Sequence, residues 1–188
     1  MQRETVTAYL SLGSNIGDRA GNLLLAVRGL LEASICLARL SAIYETEPVE
    51  VLSNHAAYLN MVAEVQVTNV SPEQLLARML RVEYLLGRRR ETTEKLPRTV
   101  DLDLLLFGDL QRANRFVTLP HPRFHLRNFV LVPLSEIAPR LVHPTLNRTV
   151  RDLRKDSQDS SRVVRWQPDP QPDPTTNDES QITKFSAT

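Results

Sequence analysis

Asp101 and Asp103 stand two residues apart in the run Asp101-Leu102-Asp103-Leu104-Leu105-Leu106-Phe107. Side chains of a β-strand alternate between faces. Both carboxylates would therefore share one face, roughly 7 Å apart along the strand at about 3.3 Å per residue. Leu102, Leu104 and Leu106 would point the other way, into core. Two carboxylates on one face repel each other, and a divalent cation relieves the repulsion. Mg2+ suits such hard oxygen ligands, because it takes one or two carboxylates plus substrate phosphates. By itself the pair also fits a solvated strand end. Its surroundings turn the reading toward phosphate chemistry. Arg88, Arg89, Arg90 and Arg98 precede the pair, and His121, Arg123, His125 and Arg127 follow it. A bound nucleotide triphosphate needs cations on both sides of its metal site.

Other chemistries lack their residues. The chain has no G-x-x-x-x-G-K-[ST] and no G-x-G-x-x-G, so P-loop, protein-kinase and Rossmann enzymes fit poorly. Gly13-Ser14-Asn15-Ile16-Gly17-Asp18 reads as a turn and a helix cap. The one cysteine, Cys36, permits no internal disulfide or cysteine-pair zinc site, and it reads as a buried structural thiol. No sequence-local Ser/His/Asp pattern suggests acyl transfer. Net charge is +1, which leaves no overall field toward nucleic acid or membrane. Of 23 basic side chains only Lys95, Lys155 and Lys184 are lysines. The rest are arginines, whose planar fork grips phosphate in a bidentate manner.

The elements that must position these residues follow from periodicity. Thr5 to Leu12 reads as a strand. Asp18 can cap a helix from about Arg19 to Ala33, with an apolar stripe of Leu23, Leu24, Val27, Leu30 and Leu31. Arg39 to Thr46 and Tyr58 to Val67 read as strands, separated by a polar loop carrying Pro48. Ser71 as N-cap, Pro72 and Gln74 open a second helix by a capping box. Its face is Leu75, Leu76, Met79, Val82 and Leu86, and Gly87 ends it. A basic loop runs from Arg88 to Arg98. Thr99 to Phe107 is a further strand, turning at Gly108-Asp109. Leu119 to Pro122 is irregular, and Arg123 to Ile137 contains helix. The order β-α-β-β-α-β predicts an α+β sandwich with a mainly antiparallel sheet and helices packed on it.

The chain has 188 residues, 41% of them hydrophobic, enough for one domain with a sizeable core. We read residues 1–155 as that domain. Residues 156–188 are polar and rich in proline and aspartate, and read as a disordered or loosely attached tail, within which Trp166 has room to dock on the body. No apolar run approaches the roughly 20 residues of a membrane span, and Met1 to Thr7 hold no signal-peptide core. The expected location is cytoplasmic.

Several blocks resemble 6-hydroxymethyl-7,8-dihydropterin pyrophosphokinase of folate biosynthesis. They are Leu10-Ser11-Leu12-Gly13-Ser14-Asn15-Ile16-Gly17-Asp18, Tyr58-Leu59-Asn60, Pro97-Arg98-Thr99-Val100-Asp101-Leu102-Asp103-Leu104-Leu105-Leu106-Phe107-Gly108, Leu119-Pro120-His121-Pro122-Arg123 and Phe129 to Pro139. The match runs in order over about residues 5 to 150. The resemblance implies a ferredoxin-like fold and an ATP- and Mg2+-dependent transfer of diphosphate to the pterin alcohol, releasing AMP. It implies that Asp101 and Asp103 bind two magnesium ions. Arg88, Arg98, Thr118, His121 and Arg127 would then hold ATP phosphates or stabilise transferred charge. Glu83, on the exposed side of the second helix, would contact the nucleotide. Thr46, Tyr58, Asn60 and Phe129 would form the pterin pocket. An Asn amide both donates and accepts, which suits the edge of a pterin, and a Phe ring can stack on it.

The sequence departs from some members at three places. Lys95-Leu96 stand where Trp-Gly precedes Pro-Arg, Leu80 replaces a Gln on the nucleotide-facing helix, and Glu47 rather than proline follows Thr46. A catalytically silent module on the same fold would not need Asp101, Asp103 and Arg98 intact. A single-stranded nucleic-acid binder would need aromatics on its sheet, and aromatics make up only 5% here. The expected partners are small molecules, with room for association with other folate-pathway enzymes.

Overall fold

The computed structural model of the protein describes residues 4–46, 57–88 and 98–168. Glu47, Pro48, Arg89, Arg90, Lys95, Leu96 and the tail beyond residue 168, all singled out above, lie outside the described residues.

Alternating side chains carry β1 (Thr5–Ser14) through the sheet, between β4 (Tyr58–Thr68) and β5 (Asp101–Phe107). Its even-numbered residues Ala8, Leu10 and Leu12 are fully buried. They pack with Leu59, Met61, Leu102 and Leu104 beneath α1 (Arg19–Glu32) and α2 (Pro72–Leu85). Both helices start where the capping residues stand. Asp18 accepts from the Gly21 N–H at 2.9 Å. Ser71 and Gln74 form the reciprocal capping box, with Pro72 at the first position. Gly29 lets α1 approach α2, since a Cβ there would lie 2.7 Å from a Val82 methyl.

The other face of the sheet packs Tyr9, Val62, Leu105 and Leu106 against α3 (Asn128–Ile137) and α4 (Val150–Lys155). Arg39 fastens the end of α3. It donates to Glu64 at 2.9 Å and to the Ile137 carbonyl at 2.5 Å. Tyr9 donates to the same carboxylate at 3.1 Å, and burial pushes the Tyr9 pKa up to about 12. With β3 at Tyr44–Thr46, the strand order β5-β1-β4-β3, every pairing antiparallel, is the α+β sandwich expected.

Several expectations are corrected. Arg39 to Thr46 is not one strand. β2 (Cys36–Leu40) and β3 (Tyr44–Thr46) both pair with β4, and the chain bends between them at Ser41. There Ser41 Oγ accepts from the Val62 N–H at 2.9 Å. Leu24 and Leu31 are exposed, because Leu23, Ala26 and Leu30 take the buried face of α1. Cys36 is an exposed free thiol at the start of β2, and the buried place belongs to Ile35. Order also continues past residue 155. β8 (Val163–Arg165) pairs with β3, and the Trp166 N–H donates to the Ile43 carbonyl at 2.9 Å while its ring packs on the core. Polar composition was a poor guide there, because an edge strand needs only backbone partners. Among the described residues, no helix is long and apolar enough to cross a membrane.

Candidate active site

Directly paired residues of an antiparallel ladder project from the same face. Asp101 pairs with Gly13, Gly13 with Asn60, and Asn60 with Tyr44. The neighbouring row runs from Asp103 through Ser11 to Val62. Val62 belongs to the core under α3, so the acid pair lies on the α3 face, beyond the apolar packing. Two strand spacings, about 10 Å, separate Asp101 from Asn60. Only a glycine stands between them. A Cβ at Gly13 would come within 3.1 Å of Asn60 Oδ1.

The two carboxylates have different surroundings. Asp101 is held by Arg88 on one oxygen and by Arg98 on the other. The Arg88 side chain is only 11% exposed, so it is an inward group rather than a solvated loop residue. Asp103 is half-buried. Burial and the Asp101 charge push its pKa up, while His121, Arg127 and Arg88 pull it down. The net upward direction marks a carboxylate with too little positive charge around it. A divalent cation would supply that charge, and the oxygens of Asp101 and Asp103 are the right donors. Among the described residues, no group of three or more His, Cys, Asp or Glu is gathered as a metal cage.

His121 reaches this place because β5 bulges. The register against β1 shifts between Tyr9 and Leu10, and the Leu105 carbonyl accepts from the His121 N–H at 2.9 Å. A cis peptide joins Leu119 and Pro120 just ahead of it. His121 Nδ1 accepts from the Arg123 N–H at 3.3 Å, which leaves the neutral ring's proton on Nε2. Burial, with Arg127 and Arg123 nearby, lowers the His121 pKa against the opposing pull of Asp103. Arg127 lies over the Phe129 ring, 5.5 Å from its centroid. Thr118 is exposed in β7 (Thr118–Leu119), which pairs with β6 (Arg112–Ala113). His125 is not part of the group. It turns toward His143 and Phe124, with ring centroids 5.4 and 6.3 Å away.

At the other end of the row, Asn60 Nδ2 donates to Thr46 Oγ1 at 3.1 Å, and both residues are buried. Tyr58 pairs with Thr46 and stands half-buried on the same face. Phe129 is half-buried against the α3 core.

Glu83 departs from expectation. It is 1% exposed, not on the exposed side of α2. Its carboxylate accepts from the Leu102 N–H at 2.7 Å and pairs with Arg88. β5 is an edge strand, and Glu83 takes up a backbone donor on its unpaired side. Asn15 was also missed. It is buried, and its Oδ1 accepts from the Arg98 N–H at 2.7 Å while its own N–H donates to the Arg98 carbonyl at 3.2 Å. Its place directly after the strand in Leu10-Ser11-Leu12-Gly13-Ser14-Asn15 was the available signal.

The family model of 7,8-dihydro-6-hydroxymethylpterin-pyrophosphokinase (HPPK) matches residues 9–139, which hold every residue of this site. The chain belongs to the HPPK family. The HPPK of Bacillus subtilis is 43% identical over 135 residues, 71% of this chain and 79% of that protein. That of Aquifex aeolicus is 32% identical over 80% of this chain and 92% of its own length. The crystal structure of Plasmodium falciparum HPPK-DHPS superposes with a TM-score of 0.65 at 16% identity, over 82% of this chain. That likeness establishes the ferredoxin-like fold. This chain covers 43% of the Plasmodium chain, which carries two enzyme names. As an HPPK, the protein is an enzyme, a transferase of diphosphate to hydroxymethyldihydropterin in folate synthesis.

Proposed function

We propose that the protein takes the diphosphate from ATP and releases AMP, in a site where Asp101 and Asp103 hold magnesium. What carries this reading is the row Asp101–Gly13–Asn60, which sets an acid pair and a polar pocket about 10 Å apart on one sheet face.

In this reading Asn60, Thr46 and Tyr58 receive the pterin edge, and Phe129 stacks on its ring. Arg88, Arg98, His121 and Arg127 bind the phosphates, with Thr118 at the nucleotide end. The pterin hydroxymethyl oxygen forms a bond to the β-phosphorus as its O–H bond breaks and the proton passes to solvent. The bond from that phosphorus to the α,β-bridging oxygen breaks, and AMP departs with the electron pair. The protein's contribution is positioning and charge neutralisation. Arg98 and Arg88 offset charge on the leaving oxygen, and the His121 Nε2–H donates to a phosphate oxygen. Magnesium, when bound, supplies Lewis-acid neutralisation of phosphate charge. We assign Glu83 to holding Arg88 and β5, because it is buried, accepts the Leu102 N–H and pairs with Arg88. A cytoplasmic setting belongs to the same proposal, as does association with other folate enzymes, which the two-enzyme Plasmodium chain supports.

The test is AMP release from ATP with 6-hydroxymethyl-7,8-dihydropterin, with and without magnesium. AMP that requires both the pterin and the metal supports the reading, and ADP as product would end it.

Two substitutions probe the row itself. Gly13→Ala places a methyl against Asn60 and should raise the KM for the pterin about tenfold or more, with the KM for ATP little changed. Equal effects on both substrates would count against the arrangement. Asn15→Ala removes the side-chain half of the two-point clamp on the Arg98 backbone and leaves the backbone half in place. Losing a buried hydrogen bond costs about 1–3 kcal/mol, so kcat should fall roughly tenfold. On an Arg98→Ala background the same change should cost almost nothing further, and full additivity would show that Asn15 works elsewhere.

A further inference from the structure

Part of the chain beyond the family match at residues 9–139 reaches back to the site. α3 begins without a cap of its own, since Arg127 at the N-cap makes no side-chain cap hydrogen bond. Asp159 fills that place from 31 residues downstream. Its Oδ2 accepts from the Asn128 N–H at 2.6 Å, and its carbonyl accepts from Asn128 Nδ2 at 2.6 Å. Its other carboxylate oxygen accepts from the Ser161 N–H at 2.9 Å, and its own N–H donates to Ser157 Oγ at 3.2 Å. A carboxylate is favoured at a helix N-terminus by the free N–H groups and the helix dipole. Burial works against the charged form of Asp159, yet hydrogen bonds from Ser161 and Asn128, with the Arg127 charge, hold its pKa below the ordinary value.

The capped residue, Asn128, stands between Arg127 and Phe129. Arg127 lies over the Phe129 ring and acts on the charge of Asp103. The first turn of α3 therefore aims one candidate phosphate ligand and one candidate pterin-stacking ring. We propose that Asp159 is a positioning residue, capping α3 from the C-terminal segment and so fixing where Arg127 and Phe129 stand. This rests on the assignment of Arg127 to the phosphates.

The experiment is steady-state kinetics with magnesium, ATP and the pterin. The variants are Asp159→Ala, Asp159→Asn, Asp159→Glu, Arg127→Ala and the Arg127→Ala/Asp159→Ala double variant. Asp156→Asn, a tail carboxylate paired with Arg148, serves as control and should match wild type. Asp159→Ala should raise the KM for ATP roughly three- to tenfold, the size expected for a lost cap. Asp159→Asn keeps an acceptor oxygen and should restore most of the affinity. Asp159→Glu keeps the charge but displaces the acceptor. It should resemble the Ala variant, and it carries the test should that variant fail to fold. In the KM for ATP the double variant should match Arg127→Ala alone.

A raised KM for Arg127→Ala with wild-type kinetics for Asp159→Ala and Asp159→Glu would overturn the inference and leave the site reading standing. Additive rises in the KM for ATP in the double variant would overturn it as well. An unchanged KM for Arg127→Ala would remove the phosphate role of Arg127 and the inference with it.

Discussion

Replacing Asp103 by asparagine is expected to lower diphosphate transfer on the order of a thousandfold and to raise the melting temperature of the metal-free protein. Loss of a metal ligand removes several kcal/mol of transition-state stabilisation, and each 1.4 kcal/mol or so is a tenfold change in rate. The gain in stability comes from the same carboxylate. Burial and Asp101 raise its pKa in the folded chain. Above the ordinary carboxylate value the folded state therefore holds a proton that the unfolded state has released. Stability falls as pH rises through the window between the two values, and it stays reduced above it. Asparagine has no proton to lose there. Thermal unfolding in EDTA between pH 3 and 8 should show the two proteins converging at the acid end and the variant ahead at neutral pH. A variant less stable than wild type at pH 8 would mean that Asp103 is a structural group.

Glu83→Ala should do the reverse and damage the fold first. The carboxylate is 1% exposed, accepts the Leu102 N–H and pairs with Arg88. Removing it leaves a buried guanidinium and a buried edge-strand donor without that partner. Breaking one side of a buried ion pair costs about 3–5 kcal/mol. For a chain of this size each kcal/mol lowers the melting temperature by about 2–4 °C, so a fall of roughly 6–20 °C is expected. Activity should fall with it, because Arg88 also holds Asp101. Glu83→Gln keeps an acceptor for Leu102 and should lose clearly less stability. A melting temperature within 2 °C or so of wild type for Glu83→Ala would show that the contact carries little.

These two acids mark what the sequence makes legible. The shared face of Asp101 and Asp103 follows from strand alternation alone. The caps at Asp18 and Ser71 follow from local chemistry, and the structure keeps them. Glu83 is not legible as buried, because a charged helical residue is exposed unless the fold brings it a partner. Here the partners are Leu102 and Arg88, on β5 and just past α2. The bulge that lets His121 meet Leu105 has no sequence signature in a run of leucines. Asp159 and β8 sit in a polar stretch whose composition says nothing about a backbone pairing with β3 or a cap on α3. Asn15 and Gly13 were visible as residues, but their work depends on Arg98 and Asn60, which only the sheet brings near.

The most direct measurement is Mn2+ uptake, read by electron paramagnetic resonance, in the presence of a non-hydrolysable ATP analogue. Wild-type protein should take up the ion only when the nucleotide is present, and Asp103→Asn should lose most of that uptake while remaining folded. Equal uptake by the two proteins would contradict a metal site built on this pair of carboxylates.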